Sequence, residues 1–81
     1  MQGMSDALAT WKEAVNWTQV FRYRPTQRRW AAGKVLVDRG YRLALAESAY
    51  RRERTKANSE EALIATIRYA VAQYFASAKL D

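Results

Sequence analysis

The residues whose types and spacing could do chemistry are an acidic pair, Glu60-Glu61, and the segment Ala32-Gly33-Lys34. Paired carboxylates can act as general acid and base, but at the start of a predicted helix they are explained by capping and by the helix dipole. The segment at 32–34 resembles the end of a phosphate-binding loop, yet the upstream glycine and the following serine or threonine are missing. The chain has no cysteine and no histidine, on which most nucleophilic and metal sites depend. We therefore predict that the protein is not an enzyme and uses no cofactor or metal.

Positive charge is concentrated in the middle of the chain. The net charge is +6, but residues 22–56 hold 11 of the 14 Lys and Arg and only 3 of the 8 Asp and Glu. This segment carries a net charge of +8 and the remainder −2. Such an excess favours an acidic partner, either an acidic protein or a nucleic acid.

The residues that flank Pro25 form a cluster that we call the basic turn: Arg22, Tyr23, Arg24, Arg28, Arg29 and Trp30. Arg28 and Arg29 would crowd a helix N-terminus that is already positive, at a cost of about a few tenths of a kcal/mol per charge unless an anion binds there. The two aromatic side chains could stack on bases. Arginines in a solvated turn are also common, so two interpretations stay open: contact with an acidic partner or nucleic acid, or simple solvation.

The apolar spacing predicts an all-α fold in a single helical domain, residues 1–81. Three helices are expected at about 5–21, 26–56 and 58–79, arranged as a helical hairpin or a three-helix bundle. Ser5 is expected to cap the first helix and Asn58 the third, where Glu61 would complete a capping box. The second helix could break near Gly40, but its apolar face stays in phase across that residue, which favours a continuous helix.

The first predicted helix has apolar residues on two faces. One stripe is expected to face the core and comprises Met4, Leu8, Trp11, Val15 and Thr18. Trp17 and Phe21 lie nearly opposite it, four residues apart. We expect this pair to form an interface with another chain. The alternative is that the first helix is sandwiched and buried on both sides.

Self-association is predicted from two further features. Gly33 and Gly40 stand seven residues apart on the apolar face of the second helix, where close approach by another helix would offset a cost of up to about 1 kcal/mol per glycine. A chain of 81 residues also has a thin core and, without cysteine, no disulfide to reinforce it. We therefore predict a homo-oligomer, in the first place a dimer, with Trp17, Phe21, Gly33 and Gly40 at the interface.

The stretch from Tyr41 to Ala57, YRLALAESAYRRERTKA, resembles the alternating Ala, Glu, Tyr and Arg helices of small accessory proteins from tailed phages. It covers about a fifth of the chain. The resemblance implies a small helical protein encoded by a phage or another mobile element. It carries no functional residue over to this sequence.

These features together define an expected function. The N-terminal segment lacks the pattern of a signal peptide, and no apolar stretch approaches the ~20 residues of a membrane span, so we expect a cytoplasmic protein without membrane contact. We predict a non-enzymatic, small, basic helical binding protein that acts through protein–protein interaction, as an inhibitor, adaptor or assembly component. Its expected partners are a second copy of itself and an acidic host or phage protein. The alternative is a nucleic-acid-binding protein that uses the basic segment 22–56.

Overall fold

The computed structural model describes residues 2–78, with side chains from 5 to 77, and confirms the predicted all-α fold. Over this range the chain forms three helices and no strand: α1 (Gln2–Val20), α2 (Pro25–Arg52) and α3 (Lys56–Ala78). α2 passes through Gly40 without a break. Because α1 begins before Ser5, that residue lies inside the helix and is not its cap. The predicted end of the third helix at residue 79 and the side chain of Met4 lie outside the described residues.

Pro25 determines how α1 gives way to α2. Its ring disfavours helical geometry at Arg24, which is extended with φ −61° and ψ 148°. The N–H groups in the first turn of a helix have no acceptor within the helix, so the missing N–H of Pro25 loses no hydrogen bond there. Arg28, one turn into α2, donates from Nη2 to the carbonyl oxygens of Phe21 and Tyr23, each at 3.3 Å. These bonds give the carbonyl groups at the end of α1 a hydrogen-bond donor, and they hold the Arg28 side chain against that end of the helix.

Thr55, not Asn58, caps α3. The Thr55 hydroxyl accepts the backbone N–H of Asn58 at 3.1 Å, three residues further on, as an N-cap does. The side-chain amide of Asn58 instead donates to the carbonyl oxygens of Glu53 at 2.8 Å and Ala49 at 3.4 Å, at the end of α2. The predicted capping box of Asn58 and Glu61 is therefore wrong, because α3 starts two residues earlier than the sequence pattern indicated.

The core lies where α1 and α3 meet the first half of α2. Its largest side chain is Trp17, which is fully buried, and the Trp17 ring stacks on Phe75 of α3 with 6.0 Å between ring centroids. Phe21 meets the same Phe75 ring edge-on, also at 6.0 Å. Around these rings the buried residues are small: Val20, Ala31, Ala32 and Ala72. Alanines let helices approach closely, but they bury little apolar area, so the core is thin.

Glu13 joins the three helices through a buried ion cluster. Its side chain is fully buried, and Oε1 accepts Nε of Arg39 in α2 at 2.8 Å and Nε of Arg68 in α3 at 2.9 Å. Oε2 accepts Nε1 of Trp17, one turn along α1, at 3.0 Å. One carboxylate thus receives a donor from every helix. A buried carboxylate without such partners would be strongly destabilising.

The molecule is long and thin for its size. Its principal extents are 43 × 24 × 16 Å and its radius of gyration is 13.7 Å, against about 12 Å for a compact domain of this length. Its accessible surface is 5968 Å², about 1,000 Å² more than the roughly 5,000 Å² typical of a folded monomer of this mass. α3 packs against both other helices, whereas α1 and α2 touch little. The outer sides of α1 and α2 are therefore left uncovered.

Candidate protein-binding surface

The outer side of α1 carries an exposed apolar stripe. Leu8 is 50% exposed, Trp11 63% and Val15 43%. At 100° per residue these three side chains point away from Trp17 and the core. We call them the α1 outer stripe. A row of three large apolar side chains, each about half exposed, is the kind of surface that partner proteins cover.

This arrangement reverses the sequence-based expectation for α1. The stripe expected to face the core, with Leu8, Trp11 and Val15, faces outward, while Trp17 and Phe21, expected at an interface, pack inside the chain. The alternative of a helix buried on both sides is also wrong, because the outer side is exposed. Both faces of α1 are apolar, so periodicity could not choose between them. The choice follows from Trp17, whose ring stacks on α3 and whose N–H reaches a buried acceptor.

The outer side of α2 carries a second exposed stripe. Trp30 is 59% exposed, Val37 74% and Tyr41 64%. Gly33 and Ala44, also exposed, lie on the same face at helical spacing. We call these five residues the α2 outer stripe. It runs over 15 residues, about 21 Å of helix, and points away from the buried residues of α2.

The two glycines of α2 have different surroundings. A Cβ placed on Gly33 would meet no atom within 4 Å, so this residue lies in an open gap of the α2 outer stripe. A Cβ on Gly40 would stand 3.5 Å from Cε1 of Tyr69, an ordinary contact with α3. Gly40 therefore faces the chain's own third helix, and its place at an interface with another copy stays a prediction. Gly33 remains available for such a contact.

The basic turn divides into an inward and an outward part. Arg28 is half-buried, bonded to the end of α1, and its guanidinium lies 6.0 Å from the Phe21 ring centroid. Arg28 thus has a structural role at the end of α1, and its contact with an anionic partner stays a prediction. Arg22 and Arg24 are exposed, as is Arg29 in the first turns of α2. Beside them, Tyr23 is 44% exposed.

The ring of Trp30 is partly shielded by a cation. Nζ of Lys34 lies 4.7 Å from the ring centroid, one turn further along α2. Such a cation–π contact stabilises an exposed ring by about 0.5–1 kcal/mol. Trp30 thus lies on the α2 outer stripe and also lines, with Tyr23, a hollow between the end of α1 and the start of α2, while Arg28 lies against the end of α1.

A groove between α2 and α3 is lined by three arginines, Arg39, Arg42 and Arg68. Two of them bond the buried Glu13. Asp38 accepts Nη1 of Arg39 at 2.6 Å and Nε of Arg42 at 2.9 Å. The guanidinium groups are therefore largely neutralised by carboxylates of the chain itself. We assign this cluster to the stability of the fold and not to the binding of an anion.

Within residues 2–78 no group of three or more acidic, histidine or cysteine side chains could hold a metal ion. In the same range no helix is both long and apolar enough to cross a membrane. No protein-family model, curated protein or solved structure matches this chain.

Proposed function

We propose that this protein acts by binding another protein through the α1 outer stripe, as a non-enzymatic inhibitor, adaptor or assembly component. One observation carries the proposal. Among the described residues six hydrophobic residues are buried, four of them alanine, while nine large hydrophobic side chains are exposed. A monomer that keeps tryptophan and leucine outside and alanine inside has apolar surface that a partner would cover. Trp11 is the expected anchor, because exposed tryptophans are enriched among the residues that dominate binding energy.

The charge of the chain indicates the chemistry of the partner. Arg22 and Arg24 follow α1 directly and are exposed, and the chain as a whole carries +6. Such charges steer an acidic protein toward the surface and raise the rate of association. We therefore propose an acidic partner in the cytoplasm of the host cell. An origin in a phage or another mobile element, which the resemblance of residues 41–57 implies, fits this kind of activity and remains a prediction.

Replacing Trp11 with alanine should abolish capture of the partner. Truncating a central tryptophan commonly costs 2 kcal/mol or more of binding free energy, which corresponds to about 30-fold weaker binding. Tagged wild-type protein and the Trp11→Ala variant would be incubated with lysate of the source organism, and the recovered proteins quantified by mass spectrometry. The matched control is Gln73→Ala, an exposed change on α3 away from the stripe.

The proposal requires a protein recovered by the wild type and by Gln73→Ala but lost with Trp11→Ala. Equal recovery with all three baits would contradict it.

The second candidate function, nucleic-acid binding, is favoured by the exposure of Arg22, Tyr23 and Arg24 in one turn. This function would replace the proposal if nucleic acid bound tightly and if changing Arg22 and Arg24 to alanine reduced the slope of log affinity against log salt concentration by about one to two.

A further inference from the structure

We propose that the α2 outer stripe binds a second copy of this chain, with the two α2 helices antiparallel and related by a two-fold axis at Val37. This contact is separate from the α1 outer stripe and does not depend on the proposed function. It uses a face on which Trp30, Val37 and Tyr41 are between 59% and 74% exposed. A symmetric dimer needs a surface that is complementary to itself, and this stripe meets that requirement in the sizes of its residues.

Large residues face small ones when the stripe is paired with itself in this way. In an antiparallel pair centred on Val37, residues equally far before and after it stand opposite each other. Four residues away on either side are Gly33 and Tyr41, and seven residues away are Trp30 and Ala44. The ring of Tyr41 from one copy therefore enters the gap at Gly33 of the other, where no atom lies within 4 Å of a Cβ position. Trp30 likewise covers Ala44, and each of these contacts occurs twice.

A parallel pairing does not give this fit. It would set Trp30 against Trp30 and Tyr41 against Tyr41, while the gap at Gly33 would face an identical gap. Bulky residues would then hold the helices apart where the glycines leave a void, and voids lose the dispersion contacts that stabilise packed interfaces. The antiparallel arrangement also brings Lys34 of one copy within about two residues, or 3 Å of axial rise, of the oppositely charged Asp38 of the other.

The surface that is left uncovered matches what a dimer needs. The chain exposes 5968 Å², about 1,000 Å² above the value typical of its mass. A standard stable interface buries about 800 Å² on each partner. The excess is thus of the size that such an interface buries, and a second copy is a partner that is always present at equal concentration.

Disulfide trapping tests the register, because the chain has no cysteine of its own. Val37→Cys places the two thiols at the two-fold axis, so mild oxidation should convert most of this variant to a covalent dimer. Ala44→Cys is the matched control, because the antiparallel register puts its two thiols about 21 Å apart along the helices, far beyond disulfide reach. Equally efficient cross-linking of the two variants would overturn the proposal, as would a wild-type chain that sediments as a monomer at several hundred micromolar.

Exchanging the large and small residues provides a second test. Gly33→Tyr fills the gap from a position where a Cβ meets no atom within 4 Å, and Tyr41→Ala removes the ring that enters it. Each change alone should weaken dimerisation at least tenfold in sedimentation equilibrium. The double variant restores a large residue opposite a small one and should return to within about threefold of the wild type. Circular dichroism checks that all variants stay helical. If the double variant dimerises no more tightly than the single variant with the lower dimerisation affinity, the antiparallel register is overturned.

Discussion

Replacing Trp17 with alanine should remove most of the stability of this protein. The side chain is fully buried, stacks on Phe75 and donates a hydrogen bond to Glu13. Large-to-small changes of this kind cost about 3–5 kcal/mol, and an 81-residue chain with a thin core is expected near the low end of about 0.05–0.15 kcal/mol per residue, roughly 4 kcal/mol in total. Urea unfolding followed by circular dichroism should therefore show a variant that is largely unfolded or unfolds at the lowest urea concentrations.

The matched control is the same substitution at Trp11, six residues away in the same helix. Its side chain is 63% exposed, so Trp11→Ala should change the free energy of unfolding by no more than about 0.5 kcal/mol. Both variants are measured at one low protein concentration, so that self-association does not contribute. A Trp11→Ala variant that loses more stability than Trp17→Ala would contradict the orientation of α1 described above.

Replacing Glu13 with alanine should lower the free energy of unfolding by about 3 kcal/mol, the low end of the range for breaking a buried ion pair. Arg39, with a side chain only 10% exposed, would keep Asp38 as its one carboxylate partner, and Arg68 and the Trp17 N–H would lose their acceptor. Buried pairs are poorly screened by salt. The loss should therefore be nearly the same at low and at high ionic strength when unfolding is followed in urea.

A double substitution separates the ion pair from simple packing at this position. Glu13→Leu with Arg39→Met removes both charges and keeps similar volumes, and such replacements are often neutral or stabilising. Arg68, 31% exposed, can turn to solvent. We expect this variant to be more stable than Glu13→Ala by at least about 2 kcal/mol. A Glu13→Ala variant within about 1 kcal/mol of the wild type would contradict the assigned role of the cluster.

The helices themselves follow from local sequence. Their number and approximate extent come from apolar spacing and from Pro25, whose steric effect on Arg24 separates α2 from α1. The continuity of α2 through Gly40 was predictable, because the residues on either side keep the same helical phase. Cap residues were less predictable: Thr55 and Asn58 can both cap, and the contacts of Asn58 with the end of α2 decide between them.

The orientation of the helices depends on contacts between residues far apart in the chain, which a pattern in one segment does not contain. Glu13, a charged residue, would be placed on the outside of α1 by any rule based on polarity. It is buried because Arg39 and Arg68, 26 and 55 residues away, reach it. The one local signal was the spacing of Glu13 and Trp17, four residues apart, which lets the indole N–H bond the carboxylate. The contacts of Arg28 were likewise not predictable from local sequence, since its partners are carbonyl groups of Phe21 and Tyr23, just after α1.

The proposed binding surface depends on the orientation of α1, in which the apolar face with Trp11 points outward and Trp17 lies inside. The most direct measurement is acrylamide quenching of tryptophan fluorescence in two variants at low protein concentration. Trp11→Phe with Trp30→Phe leaves Trp17 as the single emitter, and Trp17→Phe with Trp30→Phe leaves Trp11. We predict blue-shifted emission that acrylamide hardly quenches for the first variant, and red-shifted, readily quenched emission for the second. A protected Trp11 together with an accessible Trp17 would contradict the account.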